Sequence, residues 1–159
     1  EAFASGGSYT ILRPVLIYGP GVKGNLAALA KLAALPFPLP IGGLTAPRSL
    51  LDVEALADAI LLLLDHDGSA TGPYLVCDRE PVTVPDILAA MRRGMGRRPG
   101  LFALPDRLFS APLRLAGRGE AWRRLTGPLV ARSGGLAALG WTPPADTADR
   151  ISRYAVAKG

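Results

Sequence analysis

The stretch Ile11-Leu-Arg-Pro-Val-Leu-Ile-Tyr-Gly-Pro-Gly21 carries the strongest structural signal in this sequence. Residues 9–12 form a short β-prone run that is almost continuously apolar, which predicts a strand buried on both faces of a parallel sheet. Pro14 has no N–H group to donate, so we expect it to end the ladder of hydrogen bonds. A Tyr18-Gly-Pro-Gly21 turn follows directly.

The remainder of the chain alternates short apolar runs with helical patterns. A length of 159 residues, with 49% apolar and 19% charged residues, predicts one globular domain. Further short strands are predicted at residues 39–42, 48–53 and 73–77. Helices are predicted at residues 1–5, 25–35, 52–65, 83–95, 105–116, 120–125, 133–139 and 146–157. Asp52 and Asp146 are expected N-caps, and Thr83 with Asp86 has the form of a capping box.

The charge and cysteine content narrow the class of protein. The net charge is +5, and ten arginines lie between Arg92 and Arg132 against only Asp106 and Glu120. Such a patch attracts phosphates, but without a nucleic-acid-binding motif it is first read as an arginine-rich surface, and no nucleic-acid partner is expected. The lone Cys77 excludes an intrachain disulfide and fits a buried structural thiol in a cytoplasmic protein. No apolar run reaches the ~20 residues of a membrane span, so no membrane partner is expected.

Five features, in order, resemble the extended short-chain dehydrogenase/reductase family, the NAD-dependent sugar-nucleotide epimerases and dehydratases. They are Leu12-Arg-Pro14 with Tyr18-Gly-Pro-Gly21, Gly24-Asn-Leu26, Leu39-Pro-Ile-Gly42, Arg48-Ser-Leu-Leu-Asp-Val53 with Leu56-Ala-Asp-Ala-Ile60, and Leu139-Gly-Trp141 with Pro143. Together they cover almost the whole chain.

The resemblance implies an α/β fold, the C-terminal part of a Rossmann-like enzyme, most of it a small mixed α+β substrate-binding lobe. Residues 1–20 would complete the NAD-binding sheet, whose other strands would then lie outside this chain. Residues 21–159 would form the substrate-binding lobe, and residues 50–65 could return to the Rossmann side.

The resemblance also implies which residues meet the cofactor and the substrate. Pro14 and Val15 match the position that touches the nicotinamide ring, although a proline there is also an ordinary strand terminator. Asn25 and Leu26 match residues at a helix start that meet the diphosphate of the sugar nucleotide, where free N–H groups suit an anion. Asn25 alone would read simply as a helix cap.

Further substrate contacts are implied at four positions. Leu39 and Ile41 match a short strand beside the uracil base, and from the bare sequence they are core or edge residues. Arg48 matches the arginine that clamps the diphosphate, because a planar guanidinium gives paired charge-assisted hydrogen bonds to phosphate. Arg124 is a weaker match for a second phosphate contact.

The catalytic and cofactor-fingerprint motifs of the family do not occur in this sequence. No glycine fingerprint follows a strand, and Tyr154 with Lys158 has the spacing of the family's Tyr-x-x-x-Lys pair but stands at the wrong end of the chain. We therefore expect no catalytic residue and no metal site, and a chain that is inactive alone. The intact protein would use NAD or NADP on a UDP-hexose, as a 4-epimerase or 4-keto reductase, and could form a homodimer.

Three departures from the family pattern leave a second function open. Leu16 replaces an asparagine that holds the substrate in many 4-epimerases, and Ala131 and Gly134 replace an expected acid and lysine. The alternative is a family member that acts as a structural subunit, or one that reduces another carbonyl substrate.

Overall fold

A computed structural model describes residues 9–21, 23–66, 70–104 and 127–156 of the 159-residue chain. Within these ranges the chain forms four short strands and five helices. The strands are β1 (Thr10–Pro14), β2 (Leu16–Tyr18), β3 (Leu50–Asp52) and β4 (Gly72–Val76). The helices are α1 (Gly24–Ala33), α2 (Val53–Asp65), α3 (Val84–Gly94), α4 (Gly134–Ala138) and α5 (Thr147–Val156).

The strands form two small parallel pairs, so the predicted α/β class is confirmed. Strand β1 pairs with β4 from Thr10↔Gly72 onwards, and β2 pairs with β3 from Leu16↔Leu50 onwards. Hydrogen bonds from the Val15 N–H to the Val76 carbonyl (3.2 Å) and from the Asp78 N–H to the Leu50 carbonyl (2.8 Å) join the two pairs. The expectation that the partners of the first strand lie outside the chain is therefore wrong for β4.

The predicted burial of the first strand on both faces is also wrong among the described residues. The Ile11 side chain is 42% exposed and Arg13 is exposed, whereas Leu12 is half-buried. Leu12 packs against the cluster around Trp141. In the described part of the chain, one face of this apolar strand is therefore covered and the other face is open.

Local signals predict most helix ends correctly. Thr83 and Asp86 form the predicted capping box, and Asp52 accepts a hydrogen bond from the Glu54 N–H as the N-cap of α2. Helix α4 ends before Gly140, whose φ is +95°, and the Trp141 N–H returns to the Leu136 carbonyl. This is the helix termination that the glycine predicts.

Several predicted elements differ from the structure or lie outside it. Lys23, not Asn25, is the N-cap of α1. Residues 39–42 form an isolated bridge through Leu39 rather than a strand, and the strand predicted at 48–53 covers only Leu50–Asp52. The helices predicted at residues 1–5, 105–116 and 120–125 lie outside the described residues.

The buried side chains form two clusters on opposite sides of β3. Leu50 belongs to a cluster with residues of α1, α3 and α5, and Leu51 belongs to one with residues of α2, β4 and α4. Alternate residues of a strand point to opposite faces, so this short strand serves both clusters. Cys77 is 1% exposed, and its Sγ lies 3.2 Å from Ser133 Oγ, which confirms a buried thiol.

Candidate functional site

The proposed nicotinamide contact lies at the carboxyl end of β1. Pro14 is the last residue of the strand and is exposed, and Val15 is half-buried against the cluster around Trp141. Ligands of parallel α/β sheets bind outside the carboxyl ends of the strands. This pair therefore offers an apolar, accessible surface where the fold places ligands.

Helix α1 begins just beyond the turn that follows β2. Gly21 has a φ of +72°, a conformation that favours glycine. The N-cap Lys23 makes no side-chain capping bond, Asn25 is exposed, and the Leu26 side chain is only 2% exposed. An anion at this helix start would thus meet backbone N–H groups and the Asn25 side chain, while Leu26 packs inward.

Beneath this helix start lies an apolar cavity of about 60 Å³. Leu26 lines it together with Tyr18, Met91, Ile151 and Tyr154. The rings of Tyr18 and Tyr154 meet edge to face, with centroids 6.1 Å apart. Leu26 is therefore a packing residue that fixes the height of α1 over the core.

Residues 39–43 run beside residues 100–104. The Leu39 N–H donates to the Gly100 carbonyl (2.9 Å), and the Phe102 N–H donates to the Leu39 carbonyl (3.0 Å). The Leu39 side chain is 3% exposed, and Ile41 is half-buried against the cluster around Leu26. Of the two proposed base contacts, Ile41 is the more accessible.

Arg48 precedes β3 and is held on both sides by backbone pairing. Its N–H and carbonyl exchange two hydrogen bonds of 2.9 Å with Val82, and it bridges in parallel to Leu129. Its half-buried side chain reaches the Gly127 carbonyl, 3.4 Å from Nη2. Because β2 and β3 are parallel, Arg48 and Val15 lie at the same end of this strand pair. Arg124 lies outside the described residues.

Sequence reasoning missed a buried polar network at the opposite end of β2 and β3. Asp78 is 2% exposed, and three donors converge on its carboxylate. They are the Tyr18 hydroxyl (2.7 Å), the Thr147 hydroxyl (2.9 Å) and the Asp52 N–H (3.1 Å). A polar residue placed directly after the apolar run Tyr74-Leu-Val-Cys77 is the one signal in the sequence.

Asp52 extends this network to helix α5. Its carboxylate is fully buried, lies 2.7 Å from Arg150 Nη1 and accepts from the Tyr154 hydroxyl at 2.9 Å. Arg150 and Arg153 also bind Asp146, which stands before α5. The tyrosine that sequence spacing singled out thus has a structural role, and Lys158 lies outside the described residues.

The pKa shifts follow from this arrangement. Burial, and then the hydrogen bond to a carboxylate, raise the pKa of both Tyr18 and Tyr154. Hydrogen bonds to Asp52 and Asp146 raise the pKa of Arg150, and the bond from Arg150 lowers the pKa of Asp146. Both tyrosines therefore keep their protons and act as donors.

Burial also raises the pKa of Asp78, against the hydrogen bonds that it accepts. Its contribution to stability is complete below the ordinary pKa of 3.8 and is lost as the pH rises through the higher folded-state value. We expect the free energy of unfolding of the wild type, minus that of Asp78→Asn, to decrease as the pH rises from about 4 through the folded-state pKa of Asp78. Urea titrations across this range measure the difference.

Asp58→Asn is the matched control, because Asp58 is exposed on α2. This variant measures the effect on stability of removing one exposed carboxylate over the same pH range. A wild-type advantage over Asp78→Asn that grows with pH would show that the carboxylate is stabilised as the anion.

The fold brings the sequence-predicted residues together in two places. Leu26 and Ile41 both pack in the cluster under α1, and Val15 and Arg48 share one end of the β2–β3 pair.

Among the described residues, no group of three His, Cys, Asp or Glu side chains could hold a metal ion. None of the described helices has the length and apolar character of a membrane span.

Comparison with known proteins places this fold in a family. Residues 1–77 match the model of the NAD dependent epimerase/dehydratase family. A UDP-glucose 4-epimerase of Vibrio cholerae is 34% identical over 136 residues, which are 84% of this chain and 42% of that protein. The chain thus belongs to the NAD-dependent epimerase/dehydratase family, as the sequence predicts.

Solved structures agree with this assignment. A UDP-glucose 4-epimerase of Thermus thermophilus, in complex with NAD, is 26% identical, with a TM-score of 0.62 over 94% of this chain and 46% of its own. The human epimerase family protein SDR39U1 (isoform 2), with NADPH, has a TM-score of 0.66 at 16% identity, covering 96% of this chain and 49% of its own. The present chain therefore spans less than half the length of each of these relatives.

Proposed function

We propose that this chain is the C-terminal, substrate-binding part of an NAD-dependent sugar-nucleotide epimerase or dehydratase that acts on a UDP-hexose. Residues 1–20 would complete the NAD-binding sheet of the intact enzyme, and residues 21–159 would form the substrate lobe. The 34% identity to a UDP-glucose 4-epimerase supports the substrate class, and the NAD-bound Thermus thermophilus relative supports the cofactor.

The observation that carries this proposal is the joining of β2 and β3. Their parallel register puts Val15 and Arg48 at one end, and the chain leaving β2 at the other end forms the turn that starts α1. A cation and an apolar residue thus lie at one end of these two strands, and the N–H groups of a helix start lie at the other end. A nucleoside diphosphate needs this combination of charge, donors and apolar contact.

Exposed apolar side chains support a contact with a nucleotide-binding part. Large apolar side chains on β1, β2 and α2 are 38% or more exposed: Ile11, Leu16, Ile17, Val53, Ile60, Leu61 and Leu64. Extensive exposed apolar surface marks interfaces with partners. In the proposed enzyme the Rossmann part would cover some of these side chains.

Each of the accessible residues would make a different contact with the cofactor or the substrate. Pro14 and Val15 would lie against the nicotinamide ring, Arg48 and Asn25 would hold the diphosphate, and Ile41 would lie beside the base. The cofactor, when bound, supplies the hydride chemistry. The chain's own contribution is to hold the substrate so that its sugar ring faces the nicotinamide.

Calorimetric titration of this chain tests the proposal. We expect affinity to rise from uridine to UMP to UDP, because a guanidinium such as that of Arg48 and the N–H groups of a helix start both favour added negative charge. Equal binding of the three ligands, or no heat with UDP at millimolar concentration, would contradict the proposal.

A further inference from the structure

Arg92 is a buried arginine of α3 whose function the family assignment leaves open. It is 3% exposed, and its guanidinium makes five hydrogen bonds to backbone carbonyls. The acceptors are Ala33 (3.2 Å), Leu35 (3.1 Å), Phe37 (2.9 Å), Pro99 (2.8 Å) and Gly100 (3.4 Å). A guanidinium has five N–H donors, so this one uses its full capacity within the protein.

These acceptors belong to two segments, the last residue of α1 with the chain that follows it, and the chain that follows α3. Ala33 and Leu35 lie at the end of α1, where carbonyls lack helical partners, and Pro99 and Gly100 follow α3. Arg97 also donates to the Ala34 carbonyl. The planar fork of Arg92 therefore ties the end of α1 to the segment after α3, which a lysine with three donors could not fully do.

The two tied segments continue directly into the backbone pairing of residues 39–43. Leu39 follows Phe37 by two residues and bridges Leu101, which follows Gly100. The approach continues at Gly42, where an added Cβ would lie 2.9 Å from the Phe102 carbonyl carbon. Arg92 thus fixes the position at which residues 39–43, which include Ile41, begin.

We propose that Arg92 is a positioning residue for recognition of the nucleotide base. It acts through the carbonyls of residues 33–37 and 99–100, which set the height and direction of residues 39–43. This inference rests on the proposed function, because it assigns the base contact to Ile41 and its neighbours. The proposed diphosphate contacts, Arg48 and the start of α1, are not among the groups that Arg92 bonds.

The test is base selectivity, measured as the ratio of dissociation constants for ADP and UDP on this 159-residue chain. We expect the wild type to favour UDP about tenfold, and Arg92→Lys to lose most of that ratio, since ~1.4 kcal/mol separates tenfold affinities. Affinity for inorganic pyrophosphate should stay within about twofold, because the phosphate contacts remain. Arg93→Lys is the matched control, since Arg93 is the next residue of α3 and is exposed.

Gly42→Ala perturbs residues 39–43 while leaving Arg92 in place. It should also reduce the ratio of the dissociation constants for ADP and UDP. Circular dichroism confirms that each variant is folded, and if Arg92→Lys is unfolded, the Gly42→Ala result decides. The inference is overturned if the wild type selects UDP and a folded Arg92→Lys or Gly42→Ala variant has the same ratio of dissociation constants as the wild type. A wild type that binds neither nucleotide overturns the proposed function, and this inference with it.

Discussion

Asp52→Ala is expected to lower the free energy of unfolding by about 3 kcal/mol, because three interactions depend on one buried carboxylate. The substitution removes the N-cap of α2, the ion pair with Arg150 and the acceptor for the Tyr154 hydroxyl. Loss of an N-cap costs ~1 kcal/mol, and a hydrogen bond to a charged group contributes about 1.5–3 kcal/mol. Arg150 is 26% exposed, so water recovers part of its loss.

Urea denaturation of the variant, followed by circular dichroism, measures the effect. Asp58→Ala, at an exposed position of the same helix, should change stability by less than about 0.5 kcal/mol. The loss of stability in Asp52→Asn should lie between the losses in Asp58→Ala and Asp52→Ala. Asparagine still caps the helix and accepts a hydrogen bond from Tyr154, but it carries no charge opposite Arg150. An Asp52→Ala variant as stable as Asp58→Ala would show that the network contributes nothing to folding.

Arg48→Met is expected to weaken UDP binding by about 30-fold, since one charge-assisted contact to phosphate contributes roughly 2 kcal/mol. Methionine keeps much of the length and apolar character of the side chain, so the backbone pairing with Val82 and Leu129 should survive. Arg48→Lys should lose less, because it retains the charge but not the planar fork. Calorimetry measures the dissociation constant of UDP for the wild type, Arg48→Met and Arg48→Lys.

Two controls separate a specific contact at Arg48 from a general effect of positive charge. Arg79→Met removes a charge at an exposed arginine outside the proposed site, and it should leave UDP affinity within about twofold. Raising the salt concentration should weaken UDP binding to the wild type more than to Arg48→Met, because salt screens the ion pair that the variant lacks. A folded Arg48→Met that binds UDP as tightly as the wild type would remove Arg48 from the site.

The elements that sequence predicts well are those with local causes. The capping box at Thr83, the N-cap at Asp52 and the glycine stop at Gly140 each depend on residues within a few positions of one another. The start of the strand predicted at residues 48–53 is predicted poorly, because Arg48 forms isolated bridges to Val82 and Leu129, which lie far along the chain. Strand pairing depends on such distant partners.

The same distinction explains what sequence reasoning misses. The Tyr18 hydroxyl and its acceptor Asp78 are 60 residues apart, and Tyr154 and Asp52 are 102 residues apart. The arginine-rich composition around Arg92 predicts a surface position, because nothing in its neighbourhood shows that five carbonyls will surround it. Burial of a charged group follows from the tertiary fold, and no local pattern predicts it.

The candidate site is predicted by resemblance, and the structure adds which atoms are accessible. Leu26 and Leu39 are packed inward, with 2% and 3% exposure, so a ligand could meet their backbones or their neighbours but not their side chains. Asn25, Ile41 and Arg48 retain accessible surface. Motif matching finds positions, whereas packing decides which side chains are available.

The most direct test of the proposed site is a two-dimensional amide NMR titration of this chain with UDP. We expect the largest shifts at Asn25, Leu26, Ile41 and Arg48, with smaller changes on α2 and α4. Shifts centred on Arg97 and Arg98, or spread evenly over the arginine-rich surface, would contradict a nucleotide site built around β2, β3 and the start of α1.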